Sequence, residues 1–146
     1  MIIYNGDYHV TSPSGKTEHF LIKTQSDDAE FYPGDRLVYH VTPEDKLSFG
    51  RLLSSGIEVW AKRQGTPDSP SYYDRCALML WSLLTEISSP YLKKGVTFTR
   101  AQRCFFCNRK LKTQASQVMG VGPECANKNQ DFFINPAQLR LPLEES

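Results

Sequence analysis

Cysteine spacing constrains this chain more than any other feature. Three of its four cysteines fall in CFFCNRKLKTQASQVMGVGPEC, residues 104–125. Cys104 and Cys107 form a Cys-x-x-Cys turn, at which successive backbone N–H groups can point at both sulfurs and hold two thiolates on one ion. Seventeen residues then separate Cys107 from Cys125, a span that suits a finger-like loop. Gly122-Pro123-Glu124 reads as a helix start, with Gly122 as the cap, Pro123 at the first helical position and Glu124 at the positive end of the dipole. Cys125 then falls in the first turn, where free N–H groups favour thiolate over thiol. A turn, a hairpin and a helix-borne cysteine make a treble-clef-like layout, with Cys104, Cys107 and Cys125 as metal ligands. Sulfur donors in a tetrahedral site make zinc the expected ion. A redox role for Cys-x-x-Cys would call for a strand-then-helix, thioredoxin-like pattern, which does not surround it here.

A tetrahedral site needs a fourth ligand, and the sequence leaves it open. Lys128, one turn past Cys125, cannot serve, whereas Asp131 could. Cys76 lies in an apolar helical stretch and reads as a small core residue. His9, His19 and His40 lie in strand patterns and could approach from the first part of the chain. A water in that position would resemble a catalytic site, but no carboxylate or histidine in residues 100–130 is placed to act as its base.

The expected fold class is α+β: an N-terminal antiparallel β-sheet or small barrel, one central helix, and a C-terminal treble-clef-like zinc module. DYHVTS and TEHFLIKT flank the loop SPSGK, and YPGDRLVYHVT opens on a Pro-Gly turn and then alternates, with Leu37, Tyr39 and Val41 on one face. FGRLL and IEVWAKR are joined by SSG. These strands define a β domain over residues 1–63, followed by a loop at 64–71, QGTPDSPS. Residues 72–92 read as a buried helix, with Tyr73, Ala77, Leu80, Leu84 and Ile87 at helical spacing and Pro90 as a stop. VTFTR, residues 96–100, is a short strand leading into the cysteines. The basic zinc-binding module spans 93–130, and 131–146 is a partly docked tail.

Charge follows this division. Residues 1–92 carry 8 Lys/Arg against 12 Asp/Glu, a net of −4, whereas residues 93–128 carry 8 Lys/Arg against one Glu, a net of +7. A divalent zinc held by three thiolates lowers that by one. The positive charge thus sits on the cysteine segment. No apolar run approaches the ~20 residues of a membrane span, so no membrane partner is expected. The opening MIIYNGDYHV lacks the basic and apolar regions of a signal peptide, which points to the cytoplasm.

Cys104-x-x-Cys107-Asn-Arg109-Lys-Leu111, then Ser116, then Gly120-Val-Gly122-Pro123-x-Cys125, resembles a small module of uncharacterised function found in bacterial and bacteriophage proteins. In that family the pattern is Cys-x-x-Cys-Gly-Arg-x-Leu, a Ser, then Gly-Ile-Gly-Pro-x-Cys, sometimes beside helicase-like and other nucleic-acid enzymes. Asn108 departs from the family's Gly. The resemblance covers residues 103–128 and implies three cysteine ligands, a cytoplasmic setting in a bacterium or phage-infected cell, and no activity.

Arg103, Arg109, Lys110 and Lys112 crowd the cysteine segment, with Phe105 and Phe106 between them. Cations that replace counterions, beside rings that stack on bases, are what a nucleic-acid strand requires. The expected function is therefore a zinc-binding, non-catalytic accessory protein that contacts nucleic acid through these four basic residues. The alternative is a protein-binding adaptor or inhibitor of a host complex, such as a phage counter-defence protein, suited to the acidic first domain. No local motif of a nucleotide-binding loop, metalloprotease or serine hydrolase is present.

Overall fold

A computed structural model describes residues 2–101, 103 and 109–122. Six strands make one antiparallel sheet: β1 (Gly6–Thr11), β2 (Thr17–Thr24), β3 (Arg36–Val41), β4 (Lys46–Leu53), β5 (Gly56–Val59) and β6 (Thr97–Ala101). Their order is β5-β4-β3-β2-β1-β6, so β5 and β6 are the edges of an open sheet and not neighbours in a barrel. The first five strands form a meander because turn residues punctuate each junction. Ser12 to Lys16 closes the first hairpin, with Ser12 N–H donating to the Lys16 carbonyl at 2.8 Å.

Strand alternation decides which side chains meet the helix layer. Tyr8, Val10, Phe20, Ile22 and Val38 face one side and are almost fully buried. Leu37, Tyr39 and Val41 do share a face, but it is the opposite one; Val38 and His40 point toward the helix. Between Val38 and Tyr39 the register with β4 shifts, since Val38 pairs with Gly50 and Tyr39 with Ser48. Phe49 is the extra residue of this bulge. Its buried ring packs on Tyr73 at 4.9 Å and meets Phe20 edge-on at 6.0 Å.

Helix α1 (Tyr72–Thr85) covers this face with Cys76, Ala77, Leu80 and Leu83. Its start is a capping box: the Ser71 hydroxyl accepts from Asp74 N–H at 3.0 Å, and the Asp74 carboxylate accepts from Ser71 N–H at 3.0 Å. That carboxylate also accepts from Gly65 N–H at 2.7 Å, which ties the 64–71 loop to the helix. The helix is shorter than the sequence pattern suggests. It ends at Thr85, leaving Ile87 98% exposed, and Leu78 on the outer face is 67% exposed. Pro90 ends nothing; it opens α2 (Pro90–Lys93), where its missing N–H is no loss.

β6 then returns to β1, pairing Thr97 with Thr11 and Ala101 with Asp7. The strand that leads into the basic segment is therefore part of the N-terminal sheet. Among the described residues, no helix is long and apolar enough to cross a membrane.

Candidate functional site

The candidate site begins where β6 leaves the sheet edge. Two residues beyond Ala101, Arg103 forms an antiparallel bridge with Lys110. Cys104 and Cys107 lie in sequence between those two partners. From Lys110 onward the chain alternates, with Lys110 and Lys112 exposed and Leu111 only 4% exposed. A third helix follows, α3 (Gln114–Met119), within the span expected to be a finger-like loop. Its signals were present. Thr113 is the N-cap, its hydroxyl accepting from Ser116 N–H at 3.1 Å. Gly120, at φ 75°, is the left-handed residue that ends it, donating to the Ser116 carbonyl at 2.7 Å. At six residues the helix is too short for its hydrophobic period to stand out.

Leu111, Ser116, Met119 and Val121 are all buried, although none belongs to the main core cluster. The Gln117 amide donates to the Leu111 carbonyl at 3.2 Å and fastens helix to strand. The four basic residues named from the sequence, Arg103, Arg109, Lys110 and Lys112, are all exposed, and the bridge brings Arg103 and Lys110 opposite each other.

The metal ligands expected from the sequence, Cys104, Cys107 and Cys125, lie outside the described residues, as do Phe105, Phe106, the Gly-Pro-Glu helix start beyond Gly122, and Asp131. Among the described residues no group of three or more His, Cys, Asp or Glu could hold a metal ion. The described candidates for a fourth ligand, Cys76 and the three histidines, make other contacts. Cys76 packs in the core beside Ala77 and Leu80, and burial pushes its thiol up to about 11, the opposite of what a thiolate ligand needs. His40 meets Glu18 Oε2 through Nε2 at 2.7 Å and the Tyr73 hydroxyl through Nδ1 at 3.1 Å, so both ring nitrogens are engaged. His19 Nε2 lies 2.6 Å from Asp7 Oδ1, and His9 stacks on the His19 ring at 4.4 Å.

Strand β6, the bridge and α3 together coincide with one recognised unit. A model described as "Family of unknown function (DUF6011)" matches residues 97–130. That stretch is a small uncharacterised domain. The match opens at Thr97, the first residue of β6, so the domain begins inside the six-stranded sheet. No curated protein and no solved structure matches the chain.

Proposed function

We propose that the protein is a non-catalytic zinc-binding accessory factor that contacts nucleic acid through the basic segment around its cysteines. The observation that carries this reading is the joint exposure of Arg103, Arg109, Lys110 and Lys112, with Arg103 and Lys110 paired across the segment that contains Cys104 and Cys107. Exposed cations in register can track a phosphate backbone by releasing its counterions. Cys104, Cys107 and Cys125 are the proposed zinc ligands, and the metal's role is structural: it would fix the segment that presents the basic side chains. The family match lends no activity to this reading.

The test pairs metal analysis with a binding assay. About one zinc per chain is expected, lost in Cys104→Ser and Cys125→Ser. If four phosphates of a single-stranded DNA are contacted, affinity falls roughly 50-fold between 50 and 200 mM salt, and each basic residue changed to Ala lowers the logarithmic slope by about 0.7. A folded native protein prepared without chelators and free of zinc removes the metal centre. An affinity indifferent to salt removes the nucleic-acid contact.

The protein-binding alternative draws on a different observation. Phe31 and Leu78 are each 67% exposed and Ile87 is 98% exposed, all within the acidic first 92 residues. A partner that stays bound after nuclease treatment, and is released by Phe31→Ser or Leu78→Ser, would favour it.

A further inference from the structure

Two arginines on the helix side of the sheet have no acidic partner among the described residues. Elsewhere this protein pairs such a group generously: Arg51 bridges both Asp35 at 2.9 Å and Glu58 at 3.3 Å. Arg36, on β3, instead spends its guanidinium on neutral acceptors, the Asn5 side-chain oxygen at 2.9 Å and the Ile3 carbonyl. Its burial pushes it down to about 10, a cost that no described carboxylate offsets. Arg100, on β6, lies flat on the Tyr4 ring, its central carbon 4.1 Å from the centroid. Among the described residues neither guanidinium forms an ion pair with Asp or Glu.

Both charges converge on Tyr8. This residue is 2% exposed, and its hydroxyl donates to the Tyr4 carbonyl at 2.5 Å. Burial raises the Tyr8 hydroxyl, while Arg100 and, less strongly, Arg36 pull it back. In front of Tyr8 a cleft of about 190 Å³ opens between the end of α1, the N-terminal segment and β6. Its walls are Ile2, Ile3, Leu83, Leu84 and Phe98, and among the described residues Arg100 is the cation that lines it. Phe98 is held in place by stacking on Tyr8 at 5.5 Å.

A cleft walled by apolar side chains, with a guanidinium that stacks on Tyr4, hydrogen-bonds Tyr8 and has no acidic partner among the described residues, is a recognition site of definite chemistry. The walls offer a place for hydrocarbon, and the planar fork offers two parallel donors that match a carboxylate. We propose that this cleft binds a small carboxylate with a short apolar body, the carboxylate on Arg100 and the body against Leu83, Leu84 and Phe98. The volume equals about six waters at ~30 Å³ each, which sets the size of the ligand at a short acyl chain or a single ring. A monoanion suits one fork better than a phosphate dianion, which calls for more donors than the cleft presents. The site shares no residue with Arg103–Lys112, so it stands or falls independently of the nucleic-acid reading.

The experiment titrates the full chain, labelled with nitrogen-15 and carbon-13, with sodium hexanoate and, separately, with 1-hexanol. Hexanoate is expected to give saturable shifts at Tyr8, Leu83, Leu84, Phe98 and the Arg100 side chain. The uncharged alcohol should bind about 10-fold more weakly, because it cannot engage the fork. Arg100→Gln should lose that same factor for hexanoate and leave hexanol unchanged. Arg100→Lys, which keeps the charge but not the fork, should fall between. It replaces the glutamine variant in the comparison if that one fails to give a native spectrum. Shifts that stay linear in concentration, equal binding of the two ligands, or hexanoate binding that ignores both substitutions would each overturn the proposal.

Discussion

Gly50, on β4, lies opposite Val59 of β5. A methyl group built on it would sit 2.3 Å from the Glu58 carbonyl oxygen, a backbone atom that cannot swing away. Space, not backbone conformation, requires glycine here. Gly50→Ala is therefore expected to destabilise the fold by about 2 kcal/mol, read from urea unfolding, in the range of overpacked core substitutions. Glu18 makes a second argument at this scale. Burial alone would raise its carboxyl, but the hydrogen bond and charge of His40, with further hydrogen bonds from Tyr72 and Lys16, outweigh that and lower it. A carboxyl lowered on folding contributes stability above its unfolded pKa of about 4.3 and loses it as pH falls through the folded value. Thermal stability should therefore drop below about pH 4, and the drop should be shallower in Glu18→Gln. Neither residue was legible in the sequence. Gly50 sits in a strand pattern with no turn signal, and the Glu18–His40 pair joins positions 22 apart.

Elements were legible where their period was long enough to repeat. Five strands and α1 follow from alternation and from the 3.6-residue period, both of which reflect burial on one face. The errors lie at ends. Ile87 fits the helical stripe of α1 but falls after its last residue, and Pro90, which resembles a stop, starts the next helix. α3, at six residues, is too short for its period to repeat, and only its caps, Thr113 and Gly120, mark it in the sequence. The capping box of α1 can be tested directly. Ser71 caps the Asp74 amide and donates to the Arg63 carbonyl at 2.5 Å, so Ser71→Ala removes two hydrogen bonds at one helix start. A loss of about 1–2 kcal/mol is expected in thermal or urea unfolding. A change within a few tenths would mean the Asp74 contacts to Gly65 and Ser71 suffice.

At the scale of the molecule, the position of β6 is what the sequence concealed. VTFTR reads as a strand, but local pattern carries no information about a neighbour at the far side of the chain. Its partner β1 was found only in the folded structure, and with it the attachment of the basic segment to the sheet. The four basic residues themselves were readable because charge is a property of composition and needs no contact to be seen. Attachment through β6 implies mechanical coupling. Phe98→Ala, which removes the ring stacked on Tyr8, is expected to cost about 3 kcal/mol and to speed amide hydrogen exchange at Lys110 as well as at Val10. Faster exchange at Val10 alone would show that the basic segment holds its shape without the sheet.

The strand order also sets a sequence of events. β1 to β5 pair with chain neighbours, so each hairpin can close as soon as its second strand leaves the ribosome. β6 must wait: Thr97 joins Thr11, and four strands and two α-helices are synthesised between them. Closing so wide a loop is slow compared with zipping a hairpin. A nascent chain thus shows its acidic half first and docks the strand bearing its basic half last, so the two ends of its charge distribution take their final places at different times.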